Sequence, residues 1–137
     1  MALDKSVSLG GKINGETYAT IAEAVVKKSL NDKKEPFNGL TTSKIRSIYA
    51  LIMNVYTKIN TPEDFDAHKS DLQYVKVKMA YESGRDSSRE KPVSTFIHST
   101  ALMDAIDCIK TYDQFILYCR YAESLVAYFK FYGGKDK

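Results

Sequence analysis

Thr41, Thr42, Ser43, Lys44 and Arg46 form the stretch of this chain whose residue types could do chemistry together. An apolar run on a three-four spacing follows them, so they fall at the start of a helix. Hydroxyls there accept from the open amides of the first turn. Lys44 and Arg46 beside those amides oppose the positive end of the helix dipole, where a helix selected only for stability would carry Asp or Glu. Free amides, hydroxyls and cations together suit a phosphate group. The competing reading is that both cations are merely solvated.

Other reactive residues are sparse. Cys108 and Cys119 fall on apolar faces, match no metal or redox spacing, and read as buried reduced thiols. His68 and His98 stand far apart in sequence with no second ligand nearby, and His68 lies on an apolar stripe, so it reads as a packed, hydrogen-bonded side chain. A dyad of Cys119 with a histidine has no spacing to support it. Asp104 and Asp107 lie one turn apart and read as a solvated face. The sequence therefore supports no enzyme, no metal and no cofactor. The tyrosines gathered at Tyr112, Tyr118, Tyr121, Tyr128 and Tyr132 read as core or interface, with a few able to stack on bases.

The elements that must position these residues are all helical. Three-four apolar spacing predicts helices near 17–30, 42–59, 62–83, 92–110 and 112–132, with a bend near Ser99–Thr100 in the fourth. The central helix places Ile45, Ile48, Tyr49, Ile52, Val55, Tyr56 and Ile59 inward. Thr61-Pro62-Glu63-Asp64 opens the third, with Phe65, His68, Leu72, Val75 and Met79 as its stripe and Gly84 as its stop. Pro92 opens the fourth, and Thr111 to Gln114 is a capping-box pattern for the last. No alternating strand pattern occurs. The expected fold is all-α, a single-domain bundle of about five helices over 17–134, preceded by a flexible N-terminal arm at 1–16 holding Gly10, Gly11 and Gly15.

A chain of 137 residues, 44% apolar, suits one core. No uninterrupted apolar window reaches membrane-spanning length, and the opening Met-Ala-Leu-Asp-Lys-Ser has no apolar signal core, so a cytoplasmic location is expected. The net charge is only +3. Residues 40–91 hold nine Lys/Arg against seven Asp/Glu, whereas 92–137 hold five against five. This weak bias permits a nucleic-acid partner without demanding one.

Three motifs in order carry a resemblance. They are Leu40-Thr-Thr-Ser-Lys-Ile-Arg46, Lys76-Val-Lys-Met-Ala-Tyr-Glu-Ser-Gly-Arg85, and Tyr121-Ala-Glu-Ser-Leu-Val-Ala-Tyr-Phe-Lys-Phe-Tyr-Gly-Gly134. Over about Phe37 to Gly134 the chain resembles the small α-helical subunit of type III-A CRISPR effector (Csm) complexes. Ser83 stands where that family often has Ala, and Phe129 where it often has His. The resemblance implies a non-catalytic subunit lining and stabilising the guide RNA–target RNA duplex in antiviral defence. It implies as partners other copies of itself, the backbone ribonuclease subunit and the large polymerase-like subunit.

The candidate RNA-binding residues are Ser43, Lys44, Arg46, Lys76, Lys78 and Arg85, forming a cationic stripe. Lys76 and Lys78 cannot share one helix face, and Lys76 is favoured as the one that points at RNA. Arg85, just past Gly84, is expected to leave the bundle. The tyrosine-rich last helix is expected to offer aromatic surface to neighbouring subunits, with stacking of copies only on RNA. The alternative is a helical protein–protein adaptor with no RNA contact.

Overall fold

The structure is a computed structural model that describes residues 13–136. Among these the elements are α1 (Tyr18–Lys28), a 3-10 turn (Pro36–Asn38), α2 (Thr42–Tyr56), α3 (Pro62–Ala67), α4 (Lys69–Arg85), α5 (Pro92–Thr100), α6 (Leu102–Ala105), a 3-10 turn (Ile106–Cys108) and α7 (Tyr112–Phe131). No β-strand occurs among the described residues, and Thr41 forms an isolated bridge with Lys135. The all-α, single-core bundle is the one the periodicity predicts. α7 packs on α1 and α2, α2 on α4, and α4 on α5.

Local signals place the starts of helices correctly. Thr41 accepts from Lys44 N–H at 3.3 Å and Thr61 from Asp64 N–H at 3.1 Å. The Thr111–Gln114 capping box closes in both directions. The stripes fill one core: Ala22, Val25 and Val26 of α1, Ile45, Ile48, Ile52 and Val55 of α2, Leu72, Val75 and Met79 of α4, and Phe115, Tyr118, Cys119, Tyr121, Ala122, Leu125 and Phe129 of α7 are buried.

Two predicted helices are broken, so the described residues hold seven α-helices where five were expected. The 62–83 helix stops at Ala67, because His68 leaves helical geometry (φ −116°, ψ 20°) and its Nδ1 pairs with Asp71 at 2.8 Å. The break lets α3 swing Phe65 against Phe115, ring centroids 6.1 Å apart. The 92–110 helix ends at Thr100, next to the bend expected near Ser99–Thr100, because Ala101 takes φ +60°. That conformation costs an L-residue about 1 kcal/mol. Four hydrogen bonds hold it. The Thr100 hydroxyl donates to the Phe96 carbonyl at 2.7 Å and accepts from Leu102 N–H at 3.3 Å. Tyr121 and Tyr118 of α7 donate their hydroxyls to the carbonyls of Thr100 and Leu102, at 2.9 Å and 2.6 Å. Both phenols therefore sit in the core with their polar ends satisfied.

Gly84 does not stop α4. The helix runs through it to Arg85, and a Cβ at position 84 would meet nothing within 4 Å. Gly134 is the glycine that packing requires, since a Cβ there would collide with the buried Phe129 ring. The arm reading of 1–16 falls outside the described residues for 1–12. Within the rest, Ile13 is fully buried in the core, so packing begins at least four residues before Thr17.

Candidate nucleic-acid interface

The start of α2 and the end of α4 meet across a groove of about 270 Å³, lined by Ser43, Lys44, Ser47, Glu82, Arg85 and Asp86 among others. Tertiary packing thus joins Ser43 and Lys44 to Arg85, which is distant from them in sequence. Arg46 is exposed one position past Ile45 on α2 and makes no ion pair among the described residues.

The open amides expected at the α2 start are mostly occupied. Thr41 caps Lys44 N–H, and the Lys135 carbonyl accepts from Thr42 N–H at 2.8 Å. With Thr41 as cap, Lys44 lies in the first turn and Arg46 just beyond it. The chain's C-terminal segment lies over this end, where Lys130 Nζ sits 2.8 Å from Asp136. That hydrogen bond, then the Lys130 charge and more weakly Arg46, hold the Asp136 carboxyl below its ordinary range. Any phosphate contact at this end therefore falls to side chains more than to backbone amides.

Lys44 is committed to the fold. Its ammonium lies 3.1 Å from Asp86, whose side chain is fully buried. Asp86 also accepts from Ser88 N–H at 3.0 Å and Val93 N–H at 3.1 Å. Burial alone would push this carboxyl up. The Val93 and Ser88 bonds and the Lys44 ammonium outweigh burial and hold it well below the carboxylate range. Asp86 was not among the residues singled out from sequence. Its signal was local: an Asp two residues before a Ser in a charged loop is the Asx-turn pattern.

On α4 the two lysines diverge, as spacing demands. Lys76 bonds both carboxylate oxygens of Asp107 at 3.0 Å, so the lysine favoured from sequence is the one tied down. This pairing, led by the Lys76 hydrogen bond, draws the Asp107 carboxyl below its ordinary range. Lys78 turns the other way, its Nζ 4.8 Å from the Tyr74 ring centroid. Arg85 does not follow a helix stop. It is the last residue of α4, 3.4 Å from Glu82 and 5.9 Å from the Tyr81 ring centroid, and its side chain is still 63% exposed.

The other reactive residues stay apart. Burial pushes the Cys119 thiol up to about 12, so it remains protonated at neutral pH, and Cys108 is half-buried in the second 3-10 turn. His68 Nδ1 faces Asp71, and His98 Nδ1 faces the Ser94 carbonyl at 2.8 Å. Among the described residues no group of three or more His, Cys, Asp or Glu could hold a metal ion. No helix among them is long and apolar enough to cross a membrane. Phe129 is fully buried, so it presents no surface to a ligand. Of the tyrosines gathered in α7, Tyr118 and Tyr121 are core, while Tyr128 and Tyr132 are part-exposed and pack against Phe131, which is 73% exposed.

The class so defined is a small all-helical protein whose candidate site is a charged helix-end surface. Comparison with known proteins assigns the family. The Csm2 Type III-A family model matches residues 17–135. The chain is 46% identical over 102 residues to a protein named CRISPR system Cms protein Csm2 from Enterococcus italicus, covering 70% of each chain. It is 35% identical over 124 residues to the protein of that name from Streptococcus thermophilus, covering 90% of this chain and 98% of the relative. The Mycobacterium tuberculosis protein of the same name is 31% identical over 121 residues, covering 85% of this chain and 94% of the relative. This chain belongs to the Csm2 family, the small subunit of the type III-A Csm complex of CRISPR defence.

Proposed function

We propose that this chain is a non-catalytic subunit that lines and stabilises the guide RNA–target RNA duplex of a cytoplasmic type III-A ribonucleoprotein. Its helical unit, 17–134, packs against other copies of itself, the backbone ribonuclease subunit and the large polymerase-like subunit. The observation that carries the reading is that the start of α2 and the end of α4 bring Ser43 and Arg85 to one groove, while Arg46, also on α2, is exposed. Guide pairing supplies sequence specificity in such a complex, so the subunit needs only phosphate and sugar contacts. A small net charge is compatible with that task when the cations gather on one edge.

Within the stripe the structural partners redistribute the work. Arg46 and Arg85 are exposed enough to reach phosphate and Lys78 is half-buried against the Tyr74 ring, while Lys44 and Lys76 serve mainly their acids. The test is a salt titration of guide–target duplex binding by the assembled complex. Arg46→Ala and Arg85→Ala should each weaken binding about equally across RNA sequences and flatten the salt slope by about one unit for each phosphate left without its cation. An unchanged slope in both variants would favour the protein-only adaptor.

A further inference from the structure

The outer face of α4 carries large side chains that the fold leaves in solvent. Tyr74, Val77 and Tyr81 are 58%, 60% and 64% exposed. They stand on the side opposite Leu72, Val75 and Met79, where a helix serving only its own core places polar residues. Cations interleave with them. Lys78 Nζ lies 4.8 Å from the Tyr74 centroid, and the Arg85 guanidinium 5.9 Å from that of Tyr81. Both distances fall in the cation–π range. Among the described residues the acid paired with these cations is Glu82, 3.4 Å from Arg85.

We propose that this face stacks unpaired bases of single-stranded RNA on Tyr74 and Tyr81, with Lys78 and Arg85 holding the flanking phosphates. The proposal rests on the RNA reading above and adds which part of the RNA is touched. Phosphate contacts alone need cations and have no use for exposed rings. Bases inside an A-form duplex are stacked on one another, so only splayed or single-stranded bases can meet a tyrosine face. Stacking of this kind tolerates any base, which suits a subunit that must accept any guide. Tyr74 and Tyr81 are seven residues apart on one helix, about 10 Å, so they would engage bases that are not adjacent on the strand. The core of a protein–protein patch is depleted in charge, whereas here each ring carries a cation.

The test uses the full-length chain and two probes: a short single-stranded RNA of mixed sequence without self-complementarity, and the same strand annealed to its complement. Binding is followed by fluorescence anisotropy across a salt series. Tyr74→Ala and Tyr81→Ala should each weaken single-strand binding about tenfold, leave the salt slope unchanged, and change duplex binding by less than about twofold. Tyr81→Phe, which keeps the ring, should bind as wild type. Both positions are exposed, so the melting temperature should not move. Wild-type affinity for the single strand in both alanine variants overturns the proposal, as does equal weakening on both probes. Loss of assembly with the other subunits while RNA binding is intact also overturns it, and assigns the face to a protein. If Arg46→Ala flattens the salt slope but neither tyrosine variant has an effect, stacking fails and the RNA reading stands. If no variant alters RNA binding, both fail.

Discussion

Lys44 and Lys76 differ sharply from Arg46, Lys78 and Arg85, although all are cations on helices that the sequence treats alike. The first two meet acids brought from 42 and 31 residues away. Arg46 and Arg85 stay exposed, Arg85 against the Tyr81 ring, and Lys78 is half-buried against the Tyr74 ring. The two acid pairs also differ from each other. Asp86 has a fully buried side chain, so its charge must be compensated in place, whereas Asp107 is 58% exposed and its pair is a surface ion pair. The lesson is that a cation's availability depends on the burial of the acid it meets, which its own helix does not contain.

The largest effect expected from this contrast is at Asp86. Asp86→Ala removes the acceptor for the Ser88 and Val93 amides and the Lys44 partner, and should lower unfolding free energy by about 3 kcal/mol in a urea titration. A near-zero cost would break the contrast.

Acid should sharpen it. The folded Asp86 carboxyl is held well below its unfolded range, so the unfolded chain takes up a proton that the folded one refuses. The stabilisation is complete above about pH 5 and is lost as pH falls. Asp86→Asn should flatten the acid limb of stability against pH, and Asp107→Asn should flatten it less. Equal flattening by both would mean that burial does not separate the two pairs.

Smaller effects follow for the cations themselves. Lys44→Met should cost about 1 kcal/mol, because it removes the cation paired with buried Asp86 and leaves it the Ser88 and Val93 donors. Lys76→Met should cost less than about 0.5 kcal/mol. Arg46→Ala should leave stability unchanged within about 0.5 kcal/mol. A Lys76→Met cost matching that of Lys44→Met would erase the distinction.

Much of the fold was legible because it is local. Thr41, Thr61 and the Thr111–Gln114 box act over three residues, and most of the apolar stripes of α1, α2 and α7 return as buried faces, whereas Tyr56 of α2, expected inward, is 42% exposed at the helix end. The breaks at His68 and Ala101 were less legible. Three-four periodicity passes through them, and the groups that hold the second break come from Tyr118 and Tyr121 on another helix. Gly84 does not act as the expected stop because a glycine near a helix end has that meaning only when its backbone turns left-handed, and here it does not. At the candidate site, sequence singled out Ser43, Lys44 and Arg85 but not their shared groove. It passed over Tyr74 and Tyr81, whose exposure shows only once the core face of α4 is known.

The sequence by itself determined the helical class, most helix starts, the buried faces and the family, since these depend on spacing and on hydrogen bonds within a turn. The tertiary structure alone decided where helices break, which lysines are spent on acids and which aromatic rings remain in water. Those outcomes depend on groups that lie far apart along the chain and are brought together by packing of the core.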